Sequence, residues 1–134
     1  ARAVLGERLW RGRESAPVQV VVFFDYDCPH CRTFERDLAG FEREYVATGR
    51  ASLSLVNYPF LSNDSWRGAR AALCAFDQGL PAFERYHHAL LALSGENPFR
   101  TWGARDDLAK LAQEEKLDAE ALARCLNSAA SEAR

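Results

Sequence analysis

A chain of 134 residues is the length of one domain. Its 48% hydrophobic and 27% charged content excludes bulk disorder, and strictly apolar runs such as Val20–Phe24 and Ala89–Leu93 fall far short of the roughly 18 residues of a membrane span. The balance of 17 basic against 19 acidic residues, net −2, excludes a basic footprint for nucleic acid or anionic lipid.

Residues 1–17 are mixed and basic and end in the Ser15-Ala16-Pro17 breaker, with at best a weak strand near Ala3–Leu5. Methionine is absent and the chain opens on Ala1, which fits a processed or excised mature segment. From Val18 to Asp25 a β-branched and aromatic run predicts a strand buried on both faces, as in a parallel sheet covered by helices. A helix is predicted from Pro29, because proline suits the first helical position. Its apolar stripe is Cys31, Phe34, Leu38, Phe41 and Tyr45, spaced by three and four, with Gly40 inside it and Gly49 just past its end. Ser52–Val56 alternates as a second strand. Strand, helix and strand make a βαβ unit, expected to be parallel and right-handed.

The remainder reads as helical. Ser62–Ser65 supplies capping residues for a helix through Ala69, Leu73 and Phe76 to a stop at Gly79. Pro81 opens a helix to about Leu93, followed by a loop at Ser94-Gly95-Glu96-Asn97-Pro98. Arg105–Lys116 and Asp118–Ala133 are predicted as two more helices, the second capped by Asp118. Neither an internal repeat nor a low-complexity linker interrupts this order.

Four cysteines carry the most chemistry: Cys28 and Cys31 form a C-x-x-C pair, and Cys74 and Cys125 stand alone. An even number suggests disulfides and an oxidising compartment, although a cytosolic redox or zinc protein can share it. The predicted elements set Cys28 just before the first turn of a helix, where unpaired N–H groups and the positive dipole end favour a thiolate. His30, if protonated, adds positive charge. Cys31 lies one turn deeper on the apolar stripe, which suits it to resolve a mixed disulfide formed at Cys28. Favouring the reduced form makes the disulfide a stronger oxidant, so Pro29 and His30 between the cysteines lean towards disulfide donation. A C-x-x-C can also be half of a zinc site, but no second ligand pair stands at a suitable spacing. His87 and His88 are adjacent and nothing in the sequence completes a metal or triad set around them. No cofactor and no metal are expected.

The segment Ser15-Ala16-Pro17-Val18, continued by Phe23-Phe24-Asp25-Tyr26-Asp27-Cys28-Pro29-His30-Cys31, resembles the active-site region of DsbA-like thiol:disulfide oxidoreductases of the thioredoxin superfamily. Asn57-Tyr58-Pro59-Phe60-Leu61, Ala71-Ala72-Leu73-Cys74-Ala75 with Gln78-Gly79, Phe83 with Tyr86-His87, and Leu122 to Cys125-Leu126 are similar to further stretches of that family. The resemblance implies an α/β thioredoxin-like fold. Residues 1–59 would hold the βαβ unit with its CPHC motif. Residues 60–134 would hold a helical cap, about Phe60–Asn127, and the start of the return to the thioredoxin domain.

Members of this family end with a cis-proline strand, a hairpin partner and a final helix. Here no proline follows Pro98, and after Leu126 the sequence runs Asn-Ser-Ala-Ala-Ser-Glu-Ala-Arg. On that pattern about 35–45 further residues are expected after Arg134, for a domain near 170–180; the gene sequence past that codon tests this. Some relatives also bury a carboxylate six residues before the first cysteine, where this chain has Val22.

Some relatives carry a second cysteine pair in the cap, so the resemblance favours a Cys74–Cys125 structural disulfide over two buried free thiols. His30 is read as tuning Cys28 rather than as a mere surface residue, and His87 and His88 as packing or surface residues. Asp25 and Asp27 stay open between capping and proton transfer. Trp66, Trp102, Phe60 and Phe99 are read as core or cap packing, with an exposed subset lining a peptide groove as the alternative.

The function implied is an extracytoplasmic enzyme, of periplasm or cell envelope, that donates a Cys28–Cys31 disulfide to unfolded or reduced proteins. A membrane or soluble redox partner would reoxidise it. The alternatives are an isomerase or reductase, and a non-catalytic peptide- or zinc-binding module.

Overall fold

The computed structural model describes residues 10–97 and 100–128. The weak strand near Ala3–Leu5, Phe99 and the last residues of the predicted final helix lie outside them. The first described strand, β1 (Trp10–Arg11), falls in the segment to which the sequence assigned no element. It pairs antiparallel with β3 (Ala51–Asn57), Trp10 opposite Ser54. On the other side of β3 lies β2 (Val18–Phe24), parallel to it, with Val18 opposite Ala51 and Phe24 opposite Asn57. The sheet order is therefore β1-β3-β2.

This order corrects the prediction for the first strand. Val18 and Phe23 of β2 are exposed, whereas Ala51 to Leu55 of β3 are all buried. The strand with neighbours on both edges becomes the sheet interior, and β3 has both. Its alternating serines are buried as well: Ser52 and Ser54 sit inside with Leu53 and Leu55.

The crossover from β2 to β3 is α1 (Pro29–Phe41), which continues into a π-helical turn at Glu42–Val46. The turn ends at Gly49, whose φ of +79° lies in the region open to glycine. Of the predicted stripe only Leu38 is buried; Cys31 and Phe41 are half-buried, and Phe34 and Tyr45 are exposed. The stripe is thus only half covered.

Four helices follow: α2 (Asn63–Phe76), α3 (Leu80–Glu96), α4 (Arg105–Glu114) and α5 (Ala119–Asn127). Ser62 caps α2 by accepting from the Ser65 N–H at 3.1 Å, and Asp118 caps α5 by accepting from the Ala121 N–H at 3.0 Å. The predicted loop at Ser94–Glu96 is instead the last turn of α3. Ser94 is buried with its hydroxyl donating to the Tyr26 and Leu91 carbonyls, so a polar residue is satisfied inside the helix. α4 stops at Glu114, two residues short of the prediction, and Lys116 then takes a left-handed φ of 63°. α5 ends at Asn127, where Ser128 turns to extended backbone.

The helices share a core built on Phe83, Tyr86 and Leu90 of α3, with Trp102, Leu108 and Leu122 fully enclosed. A disulfide joins Cys74 of α2 to Cys125 of α5, with an S–S distance of 2.06 Å across 51 residues of sequence. Trp102 packs closely against Gly68, where an added Cβ would stand 2.6 Å from the indole. Replacing both Cys74 and Cys125 by serine is expected to cost about 4 kcal/mol of stability in the loop-entropy model, read as a lower denaturant midpoint. Gly68→Ala should cost about 1–3 kcal/mol by overpacking, read the same way.

Candidate active site

The site grows from the four-residue turn, Asp25 to Cys28, that links β2 to α1. Asp25, at the strand end, is buried and its carboxylate is saturated by backbone. Oδ1 accepts from the Asp27 N–H at 2.8 Å; Oδ2 accepts from the Phe60 and Leu61 N–H groups at 2.9 and 3.0 Å. Asp27 reaches the helical segment: its Oδ2 accepts from the Ser62 hydroxyl at 2.9 Å and its Oδ1 from the Trp102 indole N–H at 3.1 Å. The two aspartates that the sequence left undecided thus hold the turn in place. Neither serves as a side-chain cap of α1.

The cap position of α1 is Cys28 itself, with extended backbone (φ −88°, ψ 118°) and no side-chain capping bond. Its own N–H is tied to the Asp25 carbonyl at 3.1 Å. Its side chain therefore stands at the open end of a 13-residue helix, with Pro29 in the first turn. Pro29 and His30 are exposed.

Cys31, one turn in, differs from Cys28. It is half-buried and packs against the hydrophobic core. Burial pushes its thiol pKa up; the Asp25 backbone opposes this and the neighbouring Cys28 sulfur adds to it. Both cysteines are free thiols here. A cavity of about 370 Å³ opens beside them, lined mainly by Val22, Phe24, His30, Cys31, Phe34 and Leu38. Val22, where some relatives place a carboxylate, is part of this apolar wall. Glu35 supplies a carboxylate to the same cavity from α1.

His87 and His88 are a packing and a surface residue, as read, and Glu35 adds a partner to both. His87 is buried on α3, stacked on Phe83 at 5.3 Å, and its Nδ1 meets the Tyr26 hydroxyl at 2.7 Å. Its Nε2 lies 3.0 Å from Glu35 Oε1, and exposed His88 brings Nδ1 to 3.7 Å from the same oxygen. Burial drives the Glu35 carboxyl upward, but the hydrogen bond and charge of His87, with His88 and Arg11, outweigh it and hold the pKa below the usual range. The carboxylate that completes this set is separated from His87 by 52 residues, so no local spacing reveals it. The buried Tyr26 hydroxyl, whose pKa burial raises well above the usual value, was likewise missed.

The aromatic residues divide. Trp102 is buried as read, but Trp66 and Phe60 are exposed rather than packed, at 56% and 66%. Phe60 continues an exposed row with Tyr58 and Phe23, with ring centroids 5.6 and 6.4 Å apart.

A family model described as Thioredoxin matches residues 5–133. The chain belongs to the thioredoxin family. It is similar to a probable disulfide bond formation protein D of Bacillus cereus, 31% identical over 120 residues, which covers 87% of the chain. The chain spans 55% of that relative's length. Among solved structures it is similar to a thioredoxin-like oxidoreductase from Silicibacter pomeroyi, with a TM-score of 0.71 and 31% identity, covering 92% of this chain and 65% of that one. DsbA of Chlamydia trachomatis superposes with a TM-score of 0.71 at 26% identity, covering 89% and 65%. The fold of this thioredoxin-family chain is thus the thioredoxin-like α/β arrangement that its motifs resembled, with DsbA-like relatives.

The raised Cys31 pKa is open to direct measurement. In Cys28→Ser, the remaining active-site thiol should titrate above the ordinary thiol range when followed by thiolate ultraviolet absorbance. A midpoint at or below that of a free cysteine contradicts the burial described above.

Proposed function

We propose that this chain is the catalytic part of a thiol:disulfide oxidoreductase that donates a Cys28–Cys31 disulfide to reduced cysteine pairs in proteins. The observation that carries this reading is the unequal setting of the two sulfurs. Cys28 is at an uncapped helix start, and Cys31 is half-buried with its thiol held protonated by burial. The relatives named for disulfide bond formation support the same chemistry.

The proposed reaction starts from the oxidised pair. A substrate thiolate attacks Cys28 Sγ, breaks the Cys28–Cys31 bond and forms a mixed disulfide. Cys31 leaves as a thiolate and takes a proton, a step its raised pKa favours. The second substrate thiolate then attacks its partner sulfur in the mixed disulfide and expels the Cys28 thiolate. The substrate loses two electrons and two protons, and the enzyme becomes the dithiol. At the N-terminus of α1 the Cys28 thiolate is the better leaving group, which favours donation over reduction. Pro29 starts the helix that creates this end, and exposed His30 at the cavity rim adds positive charge when protonated.

The apolar cavity and the exposed Phe23-Tyr58-Phe60 row offer surface for an unfolded chain. The helical segment, residues 60–134, would act as a cap anchored to the catalytic turn through Asp27, Ser62 and Trp102. The setting is extracytoplasmic, where reduced secreted proteins are substrates and a separate redox partner restores the disulfide. Among the described residues no helix is long and apolar enough to cross a membrane.

Oxidation of a dithiol peptide by the oxidised protein tests this reading. Cys28→Ser should abolish turnover, and Cys31→Ser should accumulate mixed disulfide with substrate. His30→Ala should make the Cys28–Cys31 couple less oxidising in equilibrium with glutathione. A stoichiometric zinc ion bound by the cysteines, with no exchange activity, overturns the enzyme reading in favour of a binding module. A strongly reducing potential overturns the direction.

A further inference from the structure

Behind the cysteine pair, α1 and α3 face each other through polar side chains that the exchange reaction does not use. We propose that Glu35, His87 and His88 form a binding site for a divalent transition-metal ion of borderline softness, such as Zn²⁺. The three offer one carboxylate oxygen and two imidazole nitrogens, all within 4.8 Å of one another. This donor set is the kind that zinc takes.

The distances fit one ion. Zinc bonds of 2.0–2.1 Å in a tetrahedron set neighbouring ligand atoms about 3.3 Å apart. Glu35 Oε1 stands 3.0 Å from His87 Nε2 and 3.7 Å from His88 Nδ1, either side of that value. His88 is 58% exposed and free to close the difference.

A plain ion pair needs one histidine against Glu35. Here the far nitrogen of His87 is also hydrogen-bonded to an outer group, the arrangement that orients an imidazole towards a metal, and that of His88 has a carboxylate nearby. For His87 that group is the Tyr26 hydroxyl on Nδ1, which can donate or accept and so serves a ring bound to metal through Nε2. For His88 it is Glu84, 3.7 Å from Nε2.

The charge balance also suits a divalent cation. Glu35, Glu42 and Glu84 surround Arg11, which pairs with the last two, leaving an excess of two negative charges. Arg32 lines the neighbouring groove but directs its guanidinium elsewhere, donating to the Ser94 hydroxyl and the Tyr26 carbonyl. A groove of about 340 Å³ between Arg36, His88 and Leu91 opens onto Glu35 and gives the ion a path and its fourth position to water. The bound ion would pin the cysteine-bearing helix to α3 one turn beyond Cys31.

The test uses the chain with Cys28 and Cys31 oxidised to a disulfide, so that no thiol competes for metal. This makes it independent of the exchange activity. Calorimetric titration with Zn²⁺ should give one equivalent, and Co²⁺ should develop tetrahedral visible bands that Zn²⁺ bleaches. The exposed His88→Gln and the isosteric Glu35→Gln should each weaken binding by about tenfold or more. Absence of one-equivalent binding, or either variant binding as tightly as the parent chain, overturns the site.

Discussion

The buried Asp25 carboxylate is the fixed point of this molecule. It sits where β2 ends, and its two oxygens collect three backbone N–H groups, one from the turn ahead of Cys28 and two from Phe60 and Leu61 beyond β3. The carboxylate itself is buried, and these three bonds satisfy it there. One side chain therefore sets the direction in which α1 leaves the sheet and the path by which the chain enters the helical segment. Asp27 extends the same device to Ser62 and Trp102. The position of Cys28 relative to the helices follows from these bonds.

Given that turn, the difference between the two sulfurs is a matter of one helical turn. Three residues advance a helix by about 4.5 Å and swing the side chain most of the way round the axis. Cys28 remains at the rim, among unpaired N–H groups, while Cys31 turns towards the core. Two chemically identical thiols so acquire different surroundings, one at the open helix end and one pushed towards its neutral form by burial.

The polar chain from Tyr26 through His87 to Glu35 gives α3 a second hold on the active-site region. Together with Ser94 and Arg32 on the Tyr26 carbonyl, it ties the turn before Cys28 to a helix more than sixty residues away. Buried polar groups of this kind are costly unless satisfied, and here each partner satisfies another. The helical segment is in this way more than a lid laid over the sheet. It supplies side chains to the floor of the site.

Much of this was legible in the sequence, because the deciding interactions are local. The Cys28-Pro29-His30-Cys31 spacing, the strand–helix–strand order and the caps at Ser62 and Asp118 depend on neighbours within a few residues. So does the helix end at Cys28. What the tertiary structure alone decided were pairings across long separations: β1 with β3, which makes β3 and its serines the sheet interior and leaves Phe23 exposed; Ser94 on Tyr26, which keeps a polar stretch helical; and Glu35 beside His87. Periodicity reports which face of an element is apolar, and not which element will cover it. Hence the sequence by itself determined the thiol chemistry, and only the fold decided what surrounds it.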